Sequence, residues 1–397
     1  MTPETPNAAR PAWQELVELL VPAGELAALT WYPGDEAVRA DLYKQLLMNV
    51  ALGYFVYFQS DPDHPDWTPF LNSVFLLQPN PDDTYYLAHV RGSGVYRICG
   101  ERGGVRLLTF ATGARMMAMS ERPGQGYEQY DADTLTLAQD GSFEVILSHE
   151  RPAGWNGNWW HLDPDADHVL ARQRSYDWGQ ERDARLAIER VDCAALKPRP
   201  SPAEITATIR ELLGGFVPRL TKMWLGYQNA MRARETVNRF EFADFGNIGA
   251  VRVQHYWQCI FELAPGEALI LETDLPKSCR YWNVQLNDPL FNAIEYVYRQ
   301  SSLNGHQARI DSDGRFRGVL ALEDPGVPNW LDTGGYTSGT VMGRWYAADS
   351  QPLPVMRRVP VTELRRHLPV DTPVVSGAER ARLLSARCRG AQLRRRW

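Results

Sequence analysis

What the sequence lacks removes most of the familiar catalytic classes. Its five cysteines, Cys99, Cys193, Cys259, Cys279 and Cys388, are far apart and never fall in Cys-x-x-Cys spacing. That argues against a zinc site and a disulfide framework and reads as buried thiols in a reducing compartment. No Gly-x-Gly-x-x-Gly follows a strand, and Gly100 to Gly104 lacks the lysine of a phosphate loop. The His-Glu-x-x-His helix motif and the Gly-x-Ser-x-Gly elbow are absent as well. Asp163, Asp165, Asp167 and His168 alternate like an oxygen-rich cation loop. Counted from Asp163, no Gly stands sixth and no Glu twelfth, so a solvated turn is the reading. No metal and no cofactor is expected.

Charge and hydropathy are equally sparing. A net charge of -6 provides no clustered basic face, so nucleic acid is not an expected partner. The longest apolar stretch, around Leu46 to Phe58, is broken by Asn49 and Gly53 and falls short of the ~20 residues that span a bilayer. No basic start followed by an apolar run opens the chain. A cytoplasmic protein with a small-molecule substrate, no membrane partner and an open question of homo-oligomerisation is the expectation.

What is present is β structure with helical elaborations. With 397 residues, 44% hydrophobic and 23% charged, the chain is long enough for two cores or for one core with a large elaboration. Apolar spacing predicts helices over Trp13 to Leu29 and Asp35 to Phe58, the latter with a stripe of Leu42, Leu46, Leu47, Val50 and Tyr54 packing on a sheet. Short β-branched and aromatic runs follow at Tyr85 to Val90, Gly94 to Cys99, Val105 to Thr112, Thr134 to Ala138, Phe143 to Ser148 and His168 to Tyr176, divided by Gly-containing turns. Ser201 with Glu204 is a capping box opening helices over Pro202 to Leu213 and Phe216 to Glu235. Strands return at Val251 to Leu263, Ala268 to Thr273, Tyr281 to Leu286, Arg315 to Leu322 and Val341 to Tyr346. The predicted organisation is a helical segment over 1–60, an antiparallel β-sandwich over 61–196, a helical connection over 197–240, a jelly-roll-like β-sandwich over 241–350 and a helical tail over 351–397. Arg394, Arg395 and Arg396 read as a solvated end.

Candidate site residues gather at the ends of the β runs. Asp82 and Asp83, beside Tyr85 and Tyr86 and after Asn80, are adjacent carboxylates, which cannot both ionise easily when desolvated, so one of them can hold a proton near neutrality. In Asn304-Gly305-His306-Gln307 a glycine permits a left-handed turn and places an imidazole where it can act as a base or orient a substrate. Asp82, Asp83, His306 and Tyr85 are the catalytic candidates. Trp155, Trp159, Trp160, Trp282 and Trp330, with Asn80, Asn283, Asp288, Asn304 and Asn329, are candidates for lining a pocket and binding substrate, because aromatic faces enclose apolar rings or stack on sugars. Each motif also has a plain structural use, as a turn cap or as core.

Taken together, Tyr281-Trp282-Asn283-Val284-Gln285-Leu286, Ser302-Leu303-Asn304-Gly305-His306-Gln307-Ala308, Asp311-Ser312-Asp313-Gly314 and Pro328-Asn329-Trp330-Leu331 resemble the bacterial family catalogued as domain of unknown function 1214. Asn80-Pro81-Asp82-Asp83-Thr84-Tyr85-Tyr86 is similar to the Asn-Asp-Thr-Tyr signature of a companion family often fused to it. The resemblance implies a jelly-roll-like C-terminal sandwich plus a second β domain, and it implies no activity. Two functional readings stand. One is an enzyme that dehydrates, isomerises, cyclises or hydrolyses a terpenoid, steroid or aromatic alcohol in a Trp-lined pocket. The other is a non-catalytic β-sandwich that binds a carbohydrate or another small molecule.

Overall fold

The computed structural model describes residues 12–71, 79–122, 124–245 and 253–394. The tail from Met1 to Pro11, Gln78, the start of the strand expected from Val251, and Arg395 and Arg396 lie outside them. Among the described residues no helix is long and apolar enough to cross a membrane.

Helix α1 (Trp13–Glu18) stops before Pro22, and Val21–Leu29 continues as tight 3₁₀ turns rather than as the expected α-helix; proline cannot extend the i→i−4 ladder. Helix α2 (Glu36–Tyr54) begins at Asp35, whose carboxylate accepts the amides of Ala37 at 2.8 Å and Val38 at 3.2 Å. The predicted capping box forms at Ser201 and Glu204 and opens α3 (Pro202–Arg210), which passes through a widened turn into α4 (Val217–Ala233). The apolar stripe expected on α2 is rotated. Val38, Leu42, Gln45, Asn49, Leu52 and Gly53 are its buried residues, whereas Leu47 is 69% and Tyr54 53% exposed. Two amides on the inner face explain this: Asn49 Nδ2 donates to Thr221 Oγ1 of α4 at 2.7 Å, and Gln45 Nε2 to the Leu290 carbonyl at 3.2 Å.

The first β block contains β1 (Thr68–Phe70), β2 (Asp83–His89), β3 (Tyr96–Glu101), β4 (Leu107–Ala114), β5 (Gln125–Asp131), β6 (Ser142–Ser148), β7 (Asn158–His161), β8 (His168–Arg174) and β9 (Arg185–Arg190). They form two sheets, ordered β1-β2-β8-β4-β5 and β7-β6-β3-β9. The strand expected over Thr134 to Ala138 is instead a short turn after β5, where Asp131 takes the Asp133 amide and the Thr136 amide turns to Asn158 Oδ1. The second block contains β10 (Glu241–Ala243), β11 (Gln254–Glu262), β12 (Glu267–Thr273), β13 (Cys279–Asn287), β14 (Ser302–Asn304), β15 (Phe316–Ala321), β16 (Trp330–Asp332), β17 (Ser338–Ala348) and β18 (Val355–Pro360). Its sheets run β10-β11-β17-β13-β14 and β16-β15-β12-β18. The chain closes with helix α5 (Gly377–Leu393). The fold is thus mainly β, two sandwich blocks with helical segments, as expected.

Each block has its own core. Ile98, Leu108, Phe110, Val145 and Trp160 fill the first, and Trp257, Phe261, Val284, Leu286, Phe316 and Trp345 the second. The second is packed to contact: a Cβ placed on Gly343 of β17 would lie 1.9 Å from the ring of Trp257, its register partner on β11. Gly343→Ala is expected to displace that indole and cost about 1–3 kcal/mol, as overpacking does, read by urea unfolding. An unchanged midpoint would mean that the ring has room.

Candidate functional site

Alternation along β13 decides what meets between the blocks. Trp282, Val284 and Leu286 enter the second core, so Tyr281, Asn283, Gln285 and Asn287 must point the other way. That face is also buried, and it meets the turn before β2. The Tyr281 hydroxyl donates to Asp82 Oδ2 at 2.6 Å and accepts Asn80 Nδ2 at 2.9 Å. Asn283 Nδ2 donates to Asn80 Oδ1 at 2.9 Å, and Gln285 Nε2 to the Pro79 carbonyl at 3.2 Å. Arg344 of β17 donates to Gln285 Oε1 at 2.6 Å.

Asp82 and Asp83 diverge from this turn into different environments. Asp82, 1% exposed, also accepts Trp178 Nε1 at 2.8 Å and Asn304 Nδ2 at 2.6 Å. Burial pushes its carboxyl up from the ordinary carboxylate range, against those hydrogen bonds and the Arg394 charge. Asp83, 0% exposed, is held by a two-pronged pair with Arg174 of β8, Nε to Oδ1 at 2.5 Å and Nη2 to Oδ2 at 2.7 Å. Arg174 is sandwiched by rings, its guanidinium 4.2 Å from the Tyr281 centroid and 5.4 Å from that of Tyr346. Tyr85 accepts the Asn80 amide at 3.1 Å, and burial pushes its phenol up.

The structure therefore gathers Asn80, Asp82, Asp83, Tyr85, Asn283 and Asn304 into one closed polar junction. It does not bring the remaining candidates to them. The His306 side chain is 54% exposed and turns to Asp177 Oδ2 at 3.6 Å, while its amide caps Asn304 Oδ1. Trp160 stacks on Tyr130 in the first core, with ring centroids 4.7 Å apart. Trp282 packs on Phe316 in the second, and Trp330 lies under Val359 and Leu364 with its indole N–H on the Ala321 carbonyl. Trp159 sits at an edge strand, bonded to Ser148 Oγ, and Asn329 ties the Arg309 and Arg317 carbonyls together. These tryptophans occupy separate places in the fold, so they do not line one pocket together.

A basic tail completes the junction, and this corrects the solvated end expected at Arg394. Arg394 is buried, and donates to the Pro81 and Asp82 carbonyls at 2.6 Å each. One heptad earlier Arg387 donates to the Tyr296 carbonyl at 2.6 Å and to Ser302 Oγ at 2.7 Å. Desolvation pushes the Arg387 guanidinium down to about 10. Arg380, a further heptad back, reaches Asp324 at 2.9 Å. The spacing of these arginines was the sequence signal for a buried helix face.

Two cavities flank the junction. One, of about 350 Å³, lies between the blocks and is lined by Tyr130, Asp131, Arg172, Arg280 and Tyr346. Arg280 bridges it, pairing with Asp131 at 2.7 Å and Asp133 at 2.9 Å. The other, of about 630 Å³, lies between α2 and the loop after β13. Asp41, Lys44, Met48 and Ala51 of α2 form one wall, Asp288, Asn292, Ile294 and Arg299 the other, and Tyr336 joins them. Here the Tyr336 hydroxyl donates to Asp41 Oδ2 at 2.8 Å. Asp288 is buried and accepts the amides of Leu290 at 2.8 Å and Asn292 at 2.9 Å on one oxygen, and Asn292 Nδ2 at 3.2 Å on the other. Desolvation pushes its carboxyl up to about 6, with the nearby Asp41 charge adding to the rise. The same loop stores strain. Phe291 has φ of +68°, rare for a bulky side chain, and is pinned by stacking on Trp224 at 5.1 Å.

Residues 107–177 match the model of a family described as Protein of unknown function (DUF1214). That span runs from β4 to Asp177, the partner of His306, so it lies in the first block, whereas most of the motifs carrying the resemblance lie in the second. The crystal structure of an uncharacterised protein from Burkholderia cenocepacia is similar at 28% identity and a TM-score of 0.79, over 88% of this chain and 97% of that one. A Vibrio parahaemolyticus protein aligns over 87% of this chain and 100% of its own at 11% identity, but its TM-score of 0.43 carries no argument. No curated protein matches the chain.

Proposed function

We propose that the chain is an enzyme that moves protons on a small, largely apolar molecule held in the cavity between α2 and the loop after β13. The observation that supports it is Asp288: a buried carboxyl in the wall of a cavity of about 630 Å³, pushed up to about 6, where a group can both give and take a proton near neutral pH. Leu47, Met48, Ala293 and Ile294 supply apolar walls, and the Tyr336–Asp41 pair supplies a second polar point across from Asp288. Strain at Phe291 fits a loop shaped for a site rather than for stability. Dehydration, isomerisation, cyclisation and hydrolysis are the reactions this equipment suits, and alcohols of terpenoid or aromatic type are the molecules to screen.

Asp82, by contrast, serves as a fastening between the blocks in this reading, since its oxygens are engaged by Tyr281 and Asn304 of the second block as well as by Trp178, while Asp83 holds Arg174 within the first block. A cytoplasmic setting goes with it, supported by five cysteines that remain free thiols. The test is a turnover screen by mass spectrometry with the wild type and Asp288→Asn side by side. Turnover by the wild type alone supports the assignment, and equal turnover by both removes it.

A further inference from the structure

Building on the assignment of this cavity as the substrate site, we infer that its ligand is an amphipathic anion: an apolar alcohol that also carries a carboxylate, held carboxylate-outward at the mouth by Lys44 and Arg299. The cavity is polarised along its depth. Asp288, Asn292, Ala293 and Ile294 are buried, whereas Lys44, Leu47, Ala51 and Arg299 are exposed. The floor therefore sets one acid and one amide beside the apolar Ala293 and Ile294, and the rim carries the two cations.

The acids near the rim keep their charge, but each is held in place by hydrogen bonds. Both Glu295 oxygens accept backbone amides, Oε1 from Val297 at 2.8 Å and Oε2 from Tyr298 at 2.9 Å. Asp41 takes the Tyr336 hydroxyl. Arg299 Nη1 donates to both Asp332 oxygens, at 3.2 and 2.9 Å, and among the described residues its Nε and Nη2 have no partner. Lys44 has no ion pair among the described residues, and its place on α2, three residues after Asp41 and four before Met48, sets it on the cavity face. A carboxylate here gains charge-assisted hydrogen bonds, and anchoring that end at the rim aims the apolar end at Asp288. An ammonium ligand would have to pass the two cations to reach the floor.

The experiment compares decanoate, decanamide and decylamine by titration calorimetry at neutral pH, on the full chain and on Lys44→Met and Arg299→Met. Decanoate is expected to bind about tenfold more tightly than decanamide, and each substitution to narrow the gap to about twofold with the melting temperature unchanged. The inference is overturned if decanamide equals decanoate, if decylamine binds most tightly, or if none of the three binds. Asp288→Asn separates it from the catalytic reading, because decanoate preference survives that substitution whether or not turnover does. A chain that prefers the carboxylate yet turns over equally with Asn at 288 keeps the ligand class and loses the chemistry.

Discussion

Replacing Asp83 with Ala is expected to cost about 3–5 kcal/mol, the penalty of stranding a buried charge. Arg174 is 3% exposed. Burial opposes its charge and Asp83 overcomes that opposition, holding the guanidinium well above its ordinary range. Once the carboxylate is gone, Nη1 keeps Gln254 Oε1 at 2.8 Å, and the Tyr281 and Tyr346 rings remain on its faces. Cation–π contacts of this kind return about 2 kcal/mol when desolvated, less than the pair supplied. Urea unfolding with an unchanged slope is the measurement. The control is Asp83→Leu combined with Arg174→Met, which removes both charges and should recover most of the loss. A single-variant cost below about 1 kcal/mol would show that the buried Arg174 charge does not depend on Asp83.

The parts of this junction that sequence could reveal are the local ones. Tyr281-x-Asn283-x-Gln285-x-Asn287 alternates with Trp282-x-Val284-x-Leu286, and period two assigns the faces without any knowledge of the fold. Capping chemistry at Asp35 and Ser201 likewise acts within four residues. The partners of Asp82 do not: Trp178, Tyr281 and Asn304 are 96, 199 and 222 residues away in the chain. The paired carboxylates were visible as a pair, but that one would be held by neutral donors and the other by a distant arginine was not. Tryptophan content suggested a lined pocket, yet Trp160, Trp282 and Trp330 are in three different clusters, because composition counts rings without placing them. On α2, hydrophobicity alone put Leu47 inward. The inner face is instead set by Gln45 and Asn49, polar residues that pay their burial with hydrogen bonds to the Leu290 carbonyl and Thr221, and this rotation turns Leu47 to the cavity mouth.

Asp288→Asn carries the second large effect, and it has two independent readouts. Asparagine keeps one oxygen for the Leu290 and Asn292 amides and removes the titrating proton. Turnover is expected to fall by about 10²–10⁴, the range a general acid–base group contributes, while the wild-type profile of kcat/KM against pH bends near 6. Stability reports the same proton. An aspartate titrates near ~3.9 in the unfolded chain and near about 6 here, so the fold favours the protonated form. That contribution is complete below pH ~4 and is lost as pH rises through about 6, with a total of up to ~3 kcal/mol over two units. The variant has no such loss. Its stability relative to wild type should therefore rise by up to ~3 kcal/mol between pH ~4 and ~7, measured by urea unfolding at three pH values. A difference that stays flat across that window would mean that Asp288 ionises like an exposed carboxylate. The cavity would then lack the proton donor on which the proposed chemistry depends.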